Sequence, residues 1–85
     1  MEEFHIGRLI QAELKAQGRT VIWFAKHIHC DRTNVYKIFN NSHIDSELLF
    51  RISQVLGHNF MLDCARYFER MSQSALVPQV ELNDM

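Results

Sequence analysis

Residues 20–40, with the sequence TVIWFAKHIHCDRTNVYKIFN, decide the fold of this chain. Thr20 is a favourable helix N-cap, because its hydroxyl can accept a hydrogen bond from a backbone N–H of the next turn. Apolar residues then recur at helical spacing and predict a short helix over Val21–Ile28. Asp31 offers a second cap and predicts another helix over Arg32–Phe39. Two short capped helices separated by a few residues are typical of a helix-turn-helix.

Amphipathic segments flank this pair on both sides. The apolar residues before it fall on one helical face and predict a helix over Phe4–Gln17, which Gly18 ends as a glycine commonly does at a helix C-terminus. After the pair, Asp45 or Ser46 is expected to cap a fourth helix with a broad apolar stripe. Gly57 is expected to end that helix.

A fifth helix is predicted after Asn59, which is its expected N-cap. The pattern weakens from residue 72 onward, and Pro78 would interrupt any helix there. We therefore expect an all-α, compact five-helix domain with a central helix-turn-helix over residues 1–71. A C-terminal tail over residues 72–85 is expected to be flexible or to form a dimer contact.

Composition limits the class of protein. The 85 residues are enough for one domain, and the balance of 47% hydrophobic and 22% charged residues is that of an ordinary soluble protein. The longest apolar run, Val21–Ala25, is far too short to span a membrane. The acidic N-terminus lacks the basic start of a secretory signal. Two cysteines, Cys30 and Cys64, are interpreted as reduced thiols, so a cytoplasmic protein is expected.

Charge is distributed unevenly along the chain. The formal net charge is −1, which is unusual for a nucleic-acid-binding protein. Basic residues nevertheless exceed acidic ones by three between residues 19 and 43, and acidic residues exceed basic ones by three between residues 44 and 85. The middle of the chain therefore has the local positive charge that phosphate binding requires.

A helix-turn-helix needs its second helix to pack one face on the first helix and to present the other to DNA. Ala25 is the key packing residue, since a small side chain lets the two helices cross closely. The residues expected to lock the helices together are Phe24, Ala25, Ile28, Cys30, Val35 and Ile38.

Together with residues 48–57, this segment resembles the phage repressor and Cro-like (XRE-type) helix-turn-helix family. The resemblance extends over about Ile6–Tyr67. Ala25 falls on the family's small position in helix 2, and Val35 and Ile38 fall on its apolar positions in the recognition helix. Leu56 and the following glycine match the typical end of helix 4.

The resemblance implies an all-α, compact five-helix, repressor-like domain. It also implies binding to double-stranded DNA as a homodimer and a role in transcription regulation, as a repressor. Four residues would then face the major groove: Arg32, Thr33, Tyr36 and Lys37. Four residues after the recognition helix would contact phosphates: Asn40, Asn41, Ser42 and His43.

Three residues depart from the family pattern. Val21 stands where a phosphate-contacting Gln often opens helix 2, and Trp23 stands at a position that is usually polar and exposed. His29 replaces the usual glycine of the turn. His29 is therefore expected to adopt a left-handed backbone conformation, which histidine tolerates better than most residues.

Other functions have weaker support. His27, His29 and Cys30 lie close together in the sequence, but the two histidines are two residues apart, whereas helical ligands converge on zinc at spacings of three or four. Both cysteines fall on apolar faces, where a thiol is inert. No metal, cofactor or enzymatic activity is expected.

The main alternative is a protein-interaction module of the same fold, or an antitoxin-like regulator that binds both DNA and a protein. Trp23 is either a core residue or a contact for such a partner. Helix 5 also has more apolar surface than a four-helix core needs, at Phe60, Tyr67, Phe68 and Met71. A homodimer contact is expected there, together with the tail around Leu76–Leu82.

Overall fold

The computed structural model describes residues 4–75, and in this part of the chain five helices and no strands are present. The all-α fold class is confirmed. The helices are α1 (Ile6–Ala16), α2 (Val21–His27), α3 (Arg32–Phe39), α4 (Ser46–Leu56) and α5 (Phe60–Ala75). Helix α5 continues through the beginning of the predicted tail, and the tail's expected dimer segment, Leu76–Leu82, lies outside the described residues.

Side-chain caps set where the helices begin. Thr20 accepts from the N–H of Trp23 at 3.0 Å, and Asp31 accepts from that of Asn34 at 2.8 Å. Of the two candidates for α4, Asp45 is the cap, and Asn59 caps α5 as predicted. Helix α1 was predicted to begin at Phe4 but begins at Ile6.

The reason for the late start of α1 is its cap. The ring of His5 accepts a hydrogen bond from the N–H of Arg8 at 3.1 Å, and His5 itself has extended backbone angles. Histidine is not among the preferred N-cap residues, so the sequence does not indicate this boundary. At the other end, Gln17 is the C-cap rather than the last helical residue.

Three helices end in the same way, with a left-handed residue after the last turn. These residues are Gly18 (φ 71°), His29 (φ 60°) and Gly57 (φ 63°). After His29, the N–H of Cys30 donates to the carbonyl of Ala25 at 3.0 Å, which closes a Schellman motif on α2. The predicted conformation of His29 is therefore confirmed.

The core joins α2 and α3 to the flanking helices. Phe24 is fully buried, and its ring lies parallel to that of Phe39 with centroids 6.3 Å apart. Of the expected locking residues, Cys30 is only half-buried and the other five are buried. The buried apolar residues are Ile6, Ile10, Leu14, Phe24, Ala25, Ile28, Val35, Ile38, Phe39, Leu49, Ile52, Leu56 and Phe60.

Gly7 determines how closely α1 approaches the end of α3. Its N–H donates to the carbonyl of Asn41 at 3.0 Å. A Cβ at this position would overlap the backbone carbonyl oxygens of Ile38 and Phe39 and lie 2.7 Å from that of Asn41. Only glycine allows this contact, which holds the C-terminal end of α3 and the following loop against α1.

Polar side chains connect α1 to the α4–α5 turn. His58 Nε2 lies 2.7 Å from a carboxylate oxygen of Asp63, and its Nδ1 lies 3.6 Å from Glu13. Gln17 donates to the carbonyl of Leu56 at 2.6 Å. None of the helices within residues 4–75 combines the length and the apolar character needed to cross a membrane.

Candidate nucleic-acid interface

The outward face of α3 is polar. Arg32, Thr33, Tyr36 and Lys37 are all exposed, whereas Val35, Ile38 and Phe39 on the opposite side are buried. Tyr36 is anchored by an edge-on contact with the ring of Phe39, at a centroid distance of 6.2 Å. The structure therefore brings the four residues predicted to read bases together on one helical surface.

Backbone hydrogen bonds hold the loop after α3 against the start of α1. The carbonyls of Asn41 and Ser42 accept from the N–H groups of Gly7 and Ile6 at 3.0 and 3.4 Å. Within the loop, Asn41 accepts from the N–H of His43 at 3.3 Å, and the Ser42 hydroxyl lies 2.7 Å from His43 Nδ1.

The side chains of this loop differ in how accessible they are. Asn40, Asn41 and His43 are exposed, as the phosphate-contact prediction requires. Ser42 is half-buried and its hydroxyl is already paired with His43. Ser42 therefore positions the His43 ring and is less available to a phosphate than its three neighbours.

A groove of about 450 Å³ lies between α3, this loop and α4. Both apolar and polar side chains line it. The polar and charged residues that line it are His29, Asn34, Lys37, Asn41, His43, Asp45 and Arg51.

Two of these residues were missed by the sequence analysis. Asn34 lies on the side of α3 toward the groove, next to the predicted reading face. Arg51 is the only basic residue of α4 and is exposed. Its position off the apolar stripe of α4 was the available signal, but only the crossing of α3 and α4 shows that it shares a groove with Lys37.

The exposed side of α2 is formed by a stack of three side chains. The guanidinium of Arg19 lies 4.3 Å from the centre of the Trp23 ring, and the His27 ring lies 4.1 Å from that ring on a nearly parallel plane. Trp23 is half-buried, and the adjacent Ile22 is 60% exposed. Val21, at the start of α2, is half-buried and has no side-chain donor for a phosphate.

Apolar residues of α5 divide between the core and the surface. Phe60 is buried, and Tyr67 packs on the Phe4 ring at a centroid distance of 4.7 Å. Phe68 and Met71 are 69% and 45% exposed, and Leu62 is also exposed. The prediction that α5 has more apolar surface than the core needs is confirmed for Phe68 and Met71, but not for Phe60.

The two thiols are poor nucleophiles. Partial burial, and secondarily the neighbouring charge of Asp31, raise the pKa of the Cys30 thiol. The pKa of Cys64 is raised in the same way by burial and then by Asp63. Both groups are therefore protonated at neutral pH, and the thiolate is the reactive form.

The side chains described in residues 4–71 include no cluster of three or more His, Cys, Asp or Glu residues arranged to hold a metal ion. Comparison with protein-family models, curated proteins and solved structures found no match to this chain. A functional assignment therefore rests on the geometry of α2, α3 and the groove.

Proposed function

We propose that this protein binds double-stranded DNA through α3 and regulates transcription as a homodimer in the cytoplasm. The observation that carries the proposal is the composition of α3, whose exposed face is polar and basic while its other face is locked into the core. A recognition helix needs two such faces, because one must contact bases in the major groove while the other keeps the helix packed on the protein.

The side chains on this face suit base recognition. Arg32 and Lys37 can donate to O6 and N7 of guanine, and Thr33 can use either its hydroxyl or its methyl group. Tyr36 adds a phenolic hydroxyl and a ring held by Phe39. Asn40, Asn41 and His43 contact the phosphates beside the reading helix and set its register.

A second copy of the chain is the proposed partner on α5. Phe60, Tyr67, Phe68 and Met71 recur at helical spacing, so the exposed part of this stripe continues from its buried part. A two-fold axis would bring the same surface of the partner onto Phe68 and Met71, as isologous dimers require. Binding to successive major grooves would require this dimer to hold its two α3 helices about 34 Å apart.

Repression would follow from occupancy alone. A bound dimer would cover a palindromic site and exclude polymerase, so no effector domain is needed for this mechanism.

The test is fluorescence anisotropy of a labelled duplex of mixed sequence, titrated with protein at 50 and 200 mM salt. Non-specific binding should be measurable at low salt and fall steeply at high salt, because bound protein releases counterions from phosphates. Arg32→Ala should then weaken binding to a selected operator about tenfold or more, as expected for loss of a bidentate base contact.

Lys15→Ala is the matched control, since Lys15 is exposed in the last turn of α1 and does not line the groove. It should bind like the parent protein. Absence of binding at 50 mM salt, by protein whose circular dichroism shows an intact helical fold, would contradict the proposal.

A second candidate function is a protein-interaction module, alone or as an antitoxin-like regulator that also binds DNA. It is favoured by the exposed Ile22 beside the Arg19–Trp23–His27 stack, because aromatic and arginine side chains are enriched in interfaces. The same titration separates the two, since a pure interaction module would leave the duplex unbound at both salt concentrations.

A further inference from the structure

We infer that the groove between α3 and α4 is a phosphate-binding site centred on Lys37 and Arg51. The inference deepens the proposed function and rests on it for the source of the phosphate, which is the DNA backbone. It assigns Lys37 to a phosphate rather than to a base, and it adds Arg51, on α4, to the binding surface.

Donors from four segments of the chain line this one groove. His29 comes from the α2–α3 turn, Lys37 from α3, His43 from the following loop and Arg51 from α4. A phosphate has several acceptor oxygens and is bound best by donors that approach from different directions. A planar guanidinium can contact two oxygens at once, while an ammonium acts as a compact point charge.

The charge balance of the groove favours an anion. Lys37 and Arg51 contribute two basic side chains to the groove, and Asp45 is the only acidic residue of the lining. One oxygen of Asp45 is engaged by the N–H of Leu48 at 2.7 Å as the cap of α4. His29 and His43 add donors in the neutral form and positive charge when protonated.

Apolar side chains complete the lining of the groove. They compete with neither an anion nor the basic side chains for hydrogen bonds. The apolar residues that line the groove are Ile28, Ile38, Ile44 and Leu48. The hydrogen bond between Ser42 and His43 positions the His43 ring at the groove.

The size of the groove and its position point to a phosphodiester. A volume of about 450 Å³ is larger than a single phosphate needs and can also take part of a sugar. Lys37 belongs to both the groove and the exposed face of α3. When α3 enters the major groove, the adjacent strand would therefore pass along this side of the helix.

The test compares Arg51→Gln and Lys37→Gln with Arg66→Gln, a control on α5 whose side chain is exposed and does not line the groove. Salt titrations on several unrelated duplexes give the slope of log affinity against log salt concentration. Each groove variant should reduce the magnitude of this slope by about 0.9 and weaken binding to all duplexes by a similar factor. Arg66→Gln should change neither the slope nor the affinity. Unchanged slopes in both groove variants, or an altered ranking of duplexes, would overturn the inference.

A second measurement, on the protein without DNA, separates this inference from the proposed function. Inorganic phosphate is titrated while amide and side-chain NMR signals are followed. Saturable shifts of Lys37, His43 and Arg51 signals that disappear in Arg51→Gln support the phosphate site. If those shifts occur but no duplex binds, the phosphate comes from a small phosphorylated molecule and the proposed function is wrong. If duplexes bind but the slopes and signals are insensitive to Arg51→Gln, the function stands and this inference is wrong.

Discussion

Helices α3 and α5 both present much of their surface to solvent, but they do so with opposite chemistry. The 8-residue α3 lies between α1 and α2 and exposes mainly charged and amide side chains. The 16-residue α5 packs on α4 near its start and exposes Leu62, Phe68 and Met71. An exposed polar face on a firmly seated helix suits a polar ligand, whereas exposed apolar residues suit a protein surface. This difference is the reason for proposing DNA as the partner of α3 and a second copy of the chain as the partner of α5.

The largest expected effect of a mutation concerns the packing of α3 against α1. Gly7→Ala should lower the free energy of unfolding by about 3 kcal/mol, because its Cβ overlaps backbone carbonyls that cannot move independently. Chemical denaturation followed by circular dichroism measures the loss. Gly18→Ala is the matched control, since its Cβ meets open space and only the left-handed backbone, at about 1 kcal/mol, opposes it. Equal losses in the two variants would show that the α1–α3 contact is looser than described.

A charged substitution tests whether the exposed apolar surface of α5 forms the proposed dimer contact. Phe68→Glu should raise the dimer dissociation constant at least tenfold, because a carboxylate would be buried against apolar side chains of the partner. Leu62→Glu is a matched control, since Leu62 is exposed but lies on another side of α5. Sedimentation velocity over a range of concentrations measures both. A parent protein that stays monomeric, or identical behaviour of the two variants, would remove the dimer from the proposal.

The smallest expected effect concerns the turn that leads into α3. His29→Gly should raise the free energy of unfolding by about 0.5 kcal/mol, since relief of left-handed strain slightly exceeds the added entropy of the unfolded chain. His29→Val should lower it, because a β-branched residue is least compatible with positive φ. Thermal unfolding of the two variants and the parent protein measures these differences in stability. A loss of stability in His29→Gly would mean that the imidazole makes a favourable contact that outweighs the strain.

Local signals in the sequence were sufficient for most of the fold. The side chains of Thr20, Asp31 and Asn59 cap helices where the sequence predicts, because capping depends only on residues within one turn. The left-handed conformation of His29 was predictable from the resemblance to the repressor family, in which glycine usually occupies this place in the turn. The exposure of Arg32 and its neighbours on α3 follows from helical periodicity alone.

Features that depend on how helices cross were not predictable from the pattern. The close approach at Gly7 depends on how α1 packs on α3, and only the folded arrangement shows that Arg51 lines the same groove as Lys37. The partial exposure of Cys30 likewise reflects its place in the turn rather than its apolar character. Periodicity shows which side of a helix is buried, but not which other helix lies against it.

The side chains of Arg19, Trp23 and His27 stacked along α2 have a spectroscopic consequence. Trp23 is the only tryptophan of the chain, so the indole emission of the protein comes from a single place beside the helix-turn-helix. The His27 ring lies 4.1 Å from the indole ring on a nearly parallel plane, so the surroundings of the indole depend on whether this stack is intact. A change in the emission of Trp23 would therefore report the arrival of any ligand that separates the stacked rings.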